Sequence, residues 1–229
     1  LANQLTALGV RRVVPISGRR SVAGGVYVVE GQLFDNIEGR RVAAADLRTI
    51  QALPGQHNWQ NAAAAFAAAR ACGLSTISAV SGLGNYSGLP HRQEEVAVID
   101  GIRYINDSKA TNAEATAKAL SSFQNIYWIA GGQAKEGGLS GLETYKGRIE
   151  KTYLIGEAQD DFATFLTAQD MDFKKCMTLD KAVSEAYKDA KDLTNACTIL
   201  LSPACASWDQ YRSFEHRGED FEELVHSIK

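Results

Sequence analysis

The chain has 229 residues, of which 45% are hydrophobic and 22% charged, and its 24 basic against 27 acidic residues leave a formal charge of −3. These values are ordinary for a globular protein and exclude intrinsic disorder, a collagen-like repeat and a disulfide-stapled miniprotein. They give no support to a nucleic-acid partner, and the longest apolar run, 62–69, is too short and too rich in alanine to cross a membrane.

The first part of the chain predicts short strands followed by a helix. Leu1, Leu5 and Leu8 have helical spacing before Gly9, so we expect an excerpt of a longer protein that begins inside a helix. Strands are predicted at 12–16, 25–30, 32–35 and 40–45, with a hairpin between the second and third. A helix is predicted at 58–71, ending before Gly73.

The segment 81–90 is rich in glycine and ends in proline, so we predict a domain boundary there, with domains at 1–88 and 89–229. Beyond it, strands alternate with helices, and Asp100-Gly101 predicts a hairpin. This alternation predicts α/β architecture with a mostly parallel sheet. The predicted strands are 96–99, 102–106, 126–130, 153–155 and 198–201. The predicted helices are 112–121, 142–149, 159–168, 179–190 and 207–228, the last broken near Gly218.

Four of these strands end in small or polar residues. Ligands bind beyond the carboxyl ends of parallel strands, so the loops at 106–109, 131–135, 156–157 and 202–203 are expected to share one edge. The side chains expected there form a mixed set suited to an anionic ligand: Asp107, Lys109, Lys135, Ser202 and Ser207.

Several of these residues have two interpretations. Thr111 and Glu114 fit a capping box for the next helix, but the same hydroxyl, the first-turn N–H groups and Lys109 are also suited to binding an anion. Lys135 follows a glycine pair and is either a surface lysine or a ligand contact. Ser207 fits a second capping box with Gln210, or a site for which the small residues 202–206 leave room.

Two features suggest a nucleotide, and others argue against zinc or a phosphate loop. Asn58 and Asn61 lie one helical turn apart; capping explains one of them, and an asparagine amide also complements an adenine edge. Arg92 offers a guanidinium to a phosphate.

No Gly-x-x-x-x-Gly-Lys-[Ser/Thr] loop occurs, so this chain alone is not expected to hold a nucleoside triphosphate firmly. The four cysteines contain no Cys-x-x-Cys pair, so we expect free thiols in a reducing cytoplasm and no metal site.

Four segments taken together resemble the Mur ligase family. They are Gly-Gln-His-Asn-Trp-Gln-Asn at 55–61, Gly-Leu-Pro-His-Arg at 88–92, Asn-Asp-Ser-Lys-Ala-Thr-Asn at 106–112, and Leu-Leu-Ser-Pro-Ala-Cys-Ala-Ser-Trp-Asp-Gln-Tyr at 200–211. The resemblance implies a truncated central ATPase domain followed by a Rossmann-like, mostly parallel α/β C-terminal domain that binds an amino acid. The phosphate loop and most magnesium ligands would lie upstream.

The last two segments are similar to those of the D-glutamate-adding members of the family. That similarity implies an ATP- and Mg²⁺-dependent, cytoplasmic ligase of peptidoglycan precursor synthesis. It would join D-glutamate to UDP-N-acetylmuramoyl-L-alanine through an acyl phosphate, with no membrane or nucleic-acid partner. The complete protein would be a monomer, and this part would be inactive alone.

The same resemblance implies roles for particular residues. Nucleotide binding would fall to Asn58, Asn61, Arg92, Asp107 and Lys109, of which Arg92 and Lys109 would be catalytic. D-Glutamate would be held by Thr111, Lys135, Ser207 and Phe214, the last through its backbone. The alternatives are a stand-alone nucleotide- or amino-acid-binding module and a sister ligase for another amino acid. A phosphate loop in the upstream reading frame would favour a ligase over the module.

Overall fold

The computed structural model describes residues 13–191 and 195–228. The helical spacing predicted at Leu1, Leu5 and Leu8 lies outside these residues. The chain separates into two compact units, and the division falls between Gly88 and Leu89. None of the helices in the described part of the chain combines the length and the apolar character needed to cross a bilayer.

The strands of the first unit form a small mixed sheet. Their bounds are β1 Ile16–Ser17, β2 Val26–Val29, β3 Gln32–Asp35 and β4 Val42–Asp46. β1 pairs with β2 in parallel, and the remaining neighbours are antiparallel. The predicted hairpin between β2 and β3 is confirmed, with positive φ at Glu30 and Gly31. A Cβ on Gly31 would lie 2.4 Å from the Arg48 side chain, so the turn requires glycine.

Two helices cover this sheet: α1 Gly55–Ala71 and α2 Thr76–Gly84. α1 begins at Gly55 rather than at the predicted Asn58, and Gly73 follows it with φ 90°. Its small Ala62 and Ala63 pack with the β-branched core of the sheet. α2 was not predicted; it begins where the Ser75 side chain accepts the N–H of Ser78, and it takes up the first residues of the glycine-rich segment.

The strands of the second unit form a larger sheet. Their bounds are β5 Glu94–Ile99, β6 Ile102–Asn106, β7 Ile126–Gly131, β8 Ile149–Ile155, β9 Phe173–Met177 and β10 Cys197–Leu201. Among the described residues the order is β5-β6-β10-β7-β8-β9. All neighbours are parallel except the β5–β6 hairpin, so the predicted mostly parallel sheet is confirmed.

Helices lie on both faces of this sheet, and each face has its own core. The bounds are α3 Ala113–Ser122, α4 Gln159–Ala168, α5 Leu179–Ala190 and α6 Phe214–His226. α3 and α4 contribute Leu120 and Phe162 to one core, whereas α5 and α6 contribute Val183 and Phe221 to the other. Central strands covered on both faces are buried along their whole length, as β7 and β10 are.

Two predicted elements of the second unit were wrong in detail. Residues 142–148 form a 3-10 helix, and Ile149 already belongs to β8, which is therefore longer than the predicted 153–155. β9 was not predicted. It is a sheet-edge strand with the exposed Lys174 and Lys175, a pattern without clear alternation.

The predicted helix at 207–228 was also wrong. α6 begins at Phe214, where the Ser213 side chain accepts the N–H of His216, and it continues unbroken through Gly218. Gly218 serves close packing rather than a break, because a Cβ there would lie 2.3 Å from the His91 ring.

Candidate functional site

The loops that follow β6, β7 and β10 are hydrogen-bonded to one another at the carboxyl edge of the sheet. Asp107 N–H donates to Leu201 C=O at 2.8 Å, and Gly131 N–H donates to Pro203 C=O at 2.9 Å. Gln133 and Ala206 exchange two backbone hydrogen bonds, at 2.9 and 3.0 Å. The expectation that these loops share one edge is therefore confirmed, since the three strands are parallel and adjacent.

Arg217, on α6, forms hydrogen bonds with two of these loops, the one after β6 and the one after β10. Its guanidinium is 1% exposed and donates to Ser108 Oγ (3.0 Å) and to the carbonyls of Ser108, Cys205 and Ala206 (3.0–3.4 Å). Within the described residues no carboxylate lies at ion-pair distance from it. Burial lowers the pKa of Arg217 to about 10, so it remains a cation at neutral pH. The loops therefore enclose a positive charge that makes no ion pair with a carboxylate of the described residues, although the Asp209 charge acts to raise the pKa of Arg217.

Asp107 is buried beneath the same edge and is only 3% exposed. Its carboxylate accepts the Gln93 N–H at 3.2 Å and the Ser202 hydroxyl at 2.7 Å. Burial raises the pKa of Asp107 to about 7, although both hydrogen bonds and the Arg92 charge act to lower it. The carboxylate thus joins the segment after Leu89 to the end of β10. Its contact with a nucleotide stays a prediction.

Lys109 and Phe214 lie together. The Lys109 ammonium is 3.8 Å from the centroid of the Phe214 ring, a close cation–π contact. The Phe214 carbonyl accepts the Ser108 hydroxyl at 2.7 Å, which fixes the start of α6 against the loop after β6. The Phe214 N–H is in the first turn of α6, where backbone donors have no intrahelical partner.

The capping box predicted for Thr111 was wrong. Asn112 is the N-cap of α3, and its side-chain oxygen accepts the Ala115 N–H at 2.8 Å. Capping therefore does not require the Thr111 hydroxyl, and Thr111 precedes the cap on the same loop as Lys109.

Lys135 lies on the rim of a cavity of about 320 Å³. The Lys135 side chain is exposed. The cavity faces the N-terminus of α3, whose first-turn N–H groups favour an anion. Two carboxylates also line it, and its other lining residues are Asn112, Ala113, Glu114, Glu136, Gly137, Gly138, Ser140 and Ala204.

Ser207 does not cap a helix, so the capping box predicted for Ser207 and Gln210 was wrong. Its carbonyl instead accepts the N–H groups of Gln210 and Tyr211, at 3.2 and 2.7 Å, in a tight turn. Ser207 is 2% exposed and follows Ala206, to which Arg217 donates. The structure brings the backbones that carry Lys109, Lys135 and Ser207 together, and it leaves their roles toward a ligand as predictions.

The other three predicted nucleotide residues are divided between the two units. Asn58 and Asn61 belong to α1 of the first unit and, being three residues apart, share one side of the helix. Asn58 Nδ2 donates to the Pro54 carbonyl at 2.8 Å, and Asn61 is exposed. Arg92 belongs to the second unit, is exposed, and follows the buried His91.

One group of potential metal ligands occurs among the described residues: His91, Glu94 and Glu222. Asn106 Nδ2 already occupies the space between two of them, at 3.0 Å from His91 Nδ1 and 2.7 Å from Glu222 Oε1. Mg²⁺ requires oxygen ligands and bound waters rather than an N–H donor, so this group does not fit it. This group therefore does not provide the magnesium site that the resemblance implies.

Sequence reasoning missed Arg217 and Ser108. A signal for Arg217 existed, because positions 217, 221 and 225 form a helical stripe in which Phe221 and Val225 are apolar. A charged side chain in such a stripe must be buried with its donors satisfied. Ser108 gave no separate signal, since its hydroxyl contacts depend on residues more than a hundred positions away.

A scan against protein-family models found no matching family. Similar curated proteins are nevertheless numerous. The UDP-N-acetylmuramoylalanine–D-glutamate ligase of Rhodospirillum rubrum is 53% identical over 216 residues, which are 94% of this chain and 45% of that protein. The ligase of the same name from Caulobacter vibrioides is 47% identical over 231 residues, covering 100% of this chain and 48% of that protein. The chain thus spans about half the length of the curated relatives it matches.

Solved structures show the same fold at low identity. The UDP-N-acetylmuramate–alanine ligase of Thermotoga maritima superposes with a TM-score of 0.56 at 16% identity, over 77% of this chain and 39% of that one. A pseudomurein peptide ligase from Methanothermus fervidus superposes with a TM-score of 0.51 at 16% identity, over 92% of this chain and 43% of that one. The fold is that of the murein-type peptide ligases. By sequence the chain is similar to about half of each D-glutamate ligase cited above, and by fold it is similar to these Mur-type peptide ligases.

Proposed function

We propose that this chain is the amino-acid-binding half of an ATP-dependent ligase that joins D-glutamate to UDP-N-acetylmuramoyl-L-alanine. The observation that carries the proposal is the identity of about half of all residues to proteins named for this reaction, over nearly the whole chain. The first unit would be the later part of a nucleotide domain, and the second unit would bind D-glutamate. The part alone would be inactive because the chain contains no phosphate loop.

The proposed reaction has two steps. The L-alanine carboxylate attacks the γ-phosphate of ATP, forming an acyl phosphate and releasing ADP. The D-glutamate nitrogen then attacks the acyl carbon, loses a proton and expels phosphate. Such phosphoryl transfer depends on positioning and on neutralising charge, so Arg92 and Lys109 would act on the phosphates. Asn58, Asn61 and Asp107 would bind the nucleotide as well.

The geometry at the sheet edge supports a dicarboxylate as the second substrate. Lys135, at the rim of the cavity, favours an anion there, against Glu114 and Glu136 in the same lining, and the enclosed Arg217 adds a positive charge to the same sheet edge. Thr111, with its hydroxyl not needed for capping, and the first-turn N–H of Phe214 would add neutral donors. Ser207, on the loop fixed by Arg217, would complete the set.

The test is phosphate release by the complete protein, with UDP-N-acetylmuramoyl-L-alanine, ATP and one amino acid at a time. D-Glutamate, and not L-glutamate or other amino acids, is expected to be required. Preference for another amino acid would point to a sister ligase, and no release with any of them would contradict the proposal.

Lys135→Ala tests the acceptor site directly. Loss of a charged hydrogen bond is expected to raise the D-glutamate KM about ten- to hundredfold. The ATP KM should change little. Lys181→Ala, on an exposed part of α5, removes the same charge elsewhere and serves as the control. An unchanged D-glutamate KM in Lys135→Ala would remove Lys135 from the site.

A further inference from the structure

Lys109 contacts two different parts of the second unit, one through its backbone and the other through its ammonium group. Its backbone N–H donates to the His91 carbonyl at 3.0 Å, while its ammonium lies 3.8 Å from the Phe214 ring centroid. The His91 ring meets the same phenyl ring edge-on, with 6.3 Å between centroids. The Phe214 ring therefore contacts both Lys109 and His91, the residue directly before Arg92.

The backbone of Phe214 is fixed by hydrogen bonds at the start of α6. Ser108 Oγ donates to the Phe214 carbonyl at 2.7 Å, and Arg217 Nε donates to the same Ser108 hydroxyl at 3.0 Å. Ser213 caps the helix that Phe214 begins. These contacts use the backbone of Phe214 and leave its ring to act on Lys109.

We propose that the Phe214 ring is a positioning residue that holds the Lys109 ammonium ready for the phosphates of the nucleotide. This inference rests on the proposed function, and it is separate from the backbone contact with D-glutamate. An aromatic face attracts a cation without neutralising it. A carboxylate would also hold the lysine but would compete with phosphate, and no carboxylate among the described residues lies within 4 Å of this ammonium.

The contact can be measured without any activity. In the 229-residue chain, lysines are reductively methylated with ¹³C-formaldehyde, which keeps their charge, and Lys109→Arg identifies the Lys109 signal by its loss. The methyl signal of Lys109 is expected upfield of the other lysine signals because it lies above an aromatic ring. Phe214→Leu should remove this displacement and Phe214→Tyr should keep it. An undisplaced signal in the wild-type chain would overturn the inference.

The consequence for the reaction is tested in the complete protein with a double-mutant cycle. Phe214→Leu is expected to lower kcat/KM for ATP about two- to fivefold, the size of an exposed cation–π interaction, and Phe214→Tyr should recover most of the loss. The D-glutamate KM should stay unchanged, because the backbone of residue 214 is retained. In the Lys109→Ala background, Phe214→Leu should have no further effect on kcat/KM for ATP.

The outcomes separate this inference from the proposed function. A wild-type protein that needs D-glutamate, with additive effects of the two substitutions, would refute the positioning role alone. A rise in the D-glutamate KM together with the ATP effect would indicate a general loss of structure at the start of α6 and would equally refute it. A wild-type protein inactive with every amino acid would refute the proposed function, and the displaced Lys109 signal would still establish the contact.

Discussion

At the residue scale, the ionisation of the Asp107 side chain is opposed by its buried surroundings. Its pKa is raised to about 7 by burial, against about 3.9 in an unfolded chain. Between these two values the folded state holds a proton that the unfolded state has lost. Stability is therefore favoured at low pH and decreases as the pH rises toward 7 and beyond.

Asp107→Asn should remove this dependence while keeping acceptor and donor atoms for Gln93 and Ser202. From pH 5 to pH 8 the wild-type second unit is expected to lose roughly 2–3 kcal/mol of unfolding free energy through this group, and the variant much less. Urea unfolding of both proteins at pH 5, 6, 7 and 8 measures the difference. Parallel pH profiles for wild type and variant would contradict the shifted pKa.

The same scale shows what motifs can and cannot reveal. The placement of Lys109 and Lys135 at the sheet edge could be predicted, because loops after parallel strands meet at one edge. The burial of Asp107 and its hydrogen bonds with Gln93 and Ser202 could not be predicted, because the tertiary fold brings these partners to it. Arg217 belongs to the same group, since its four acceptors come from two distant loops.

At the scale of the element, the start of α3 contains two adjacent polar residues, one of which caps the helix while the other is proposed to bind a ligand. Asn112→Ala should lower the unfolding free energy by about 1 kcal/mol, because the Ala115 N–H loses its acceptor. Thr111→Ala should cost clearly less in stability and, in the complete protein, should raise the D-glutamate KM. Chemical unfolding and steady-state kinetics of both variants provide the comparison. A Thr111→Ala variant as destabilised as Asn112→Ala would restore the capping interpretation of Thr111.

Elements were predictable where sequence periodicity and burial agree. α5 has buried Leu179, Ala182, Val183 and Ala186 at helical spacing, and its predicted bounds match the structure. The predicted end of α6, at 228, lies two residues beyond His226, where the helix ends. Its start was not predictable, because Ser207 and Ser213 are both acceptable caps by type. Only the turn formed by the Ser207 carbonyl, with Gln210 and Tyr211, excludes the earlier start.

At the scale of the whole molecule, each hydrophobic cluster lies within one of the two units. Among the described residues, the first unit contains one cluster, which includes Val26, Leu33 and Phe66. The second contains two, one on each face of its sheet, with Trp128 in one and Tyr153 in the other. A unit with its own core and its own sheet meets the physical requirements of an independent domain.

Residues 89–229 expressed alone are therefore expected to fold cooperatively, with an unfolding free energy in the range of about 5–15 kcal/mol that is usual for domains. Trp128 reports on this directly, since its side chain is fully buried and its Nε1 donates to the Ser202 carbonyl at 2.7 Å. Trp208 is 72% exposed, so Trp208→Phe leaves Trp128 as the only tryptophan of the unit. Its emission should be blue-shifted in buffer and should move to longer wavelength in one urea transition that coincides with the loss of far-UV circular dichroism. Solvent-exposed emission in buffer, or two separate transitions, would mean that the core around Trp128 depends on residues 1–88.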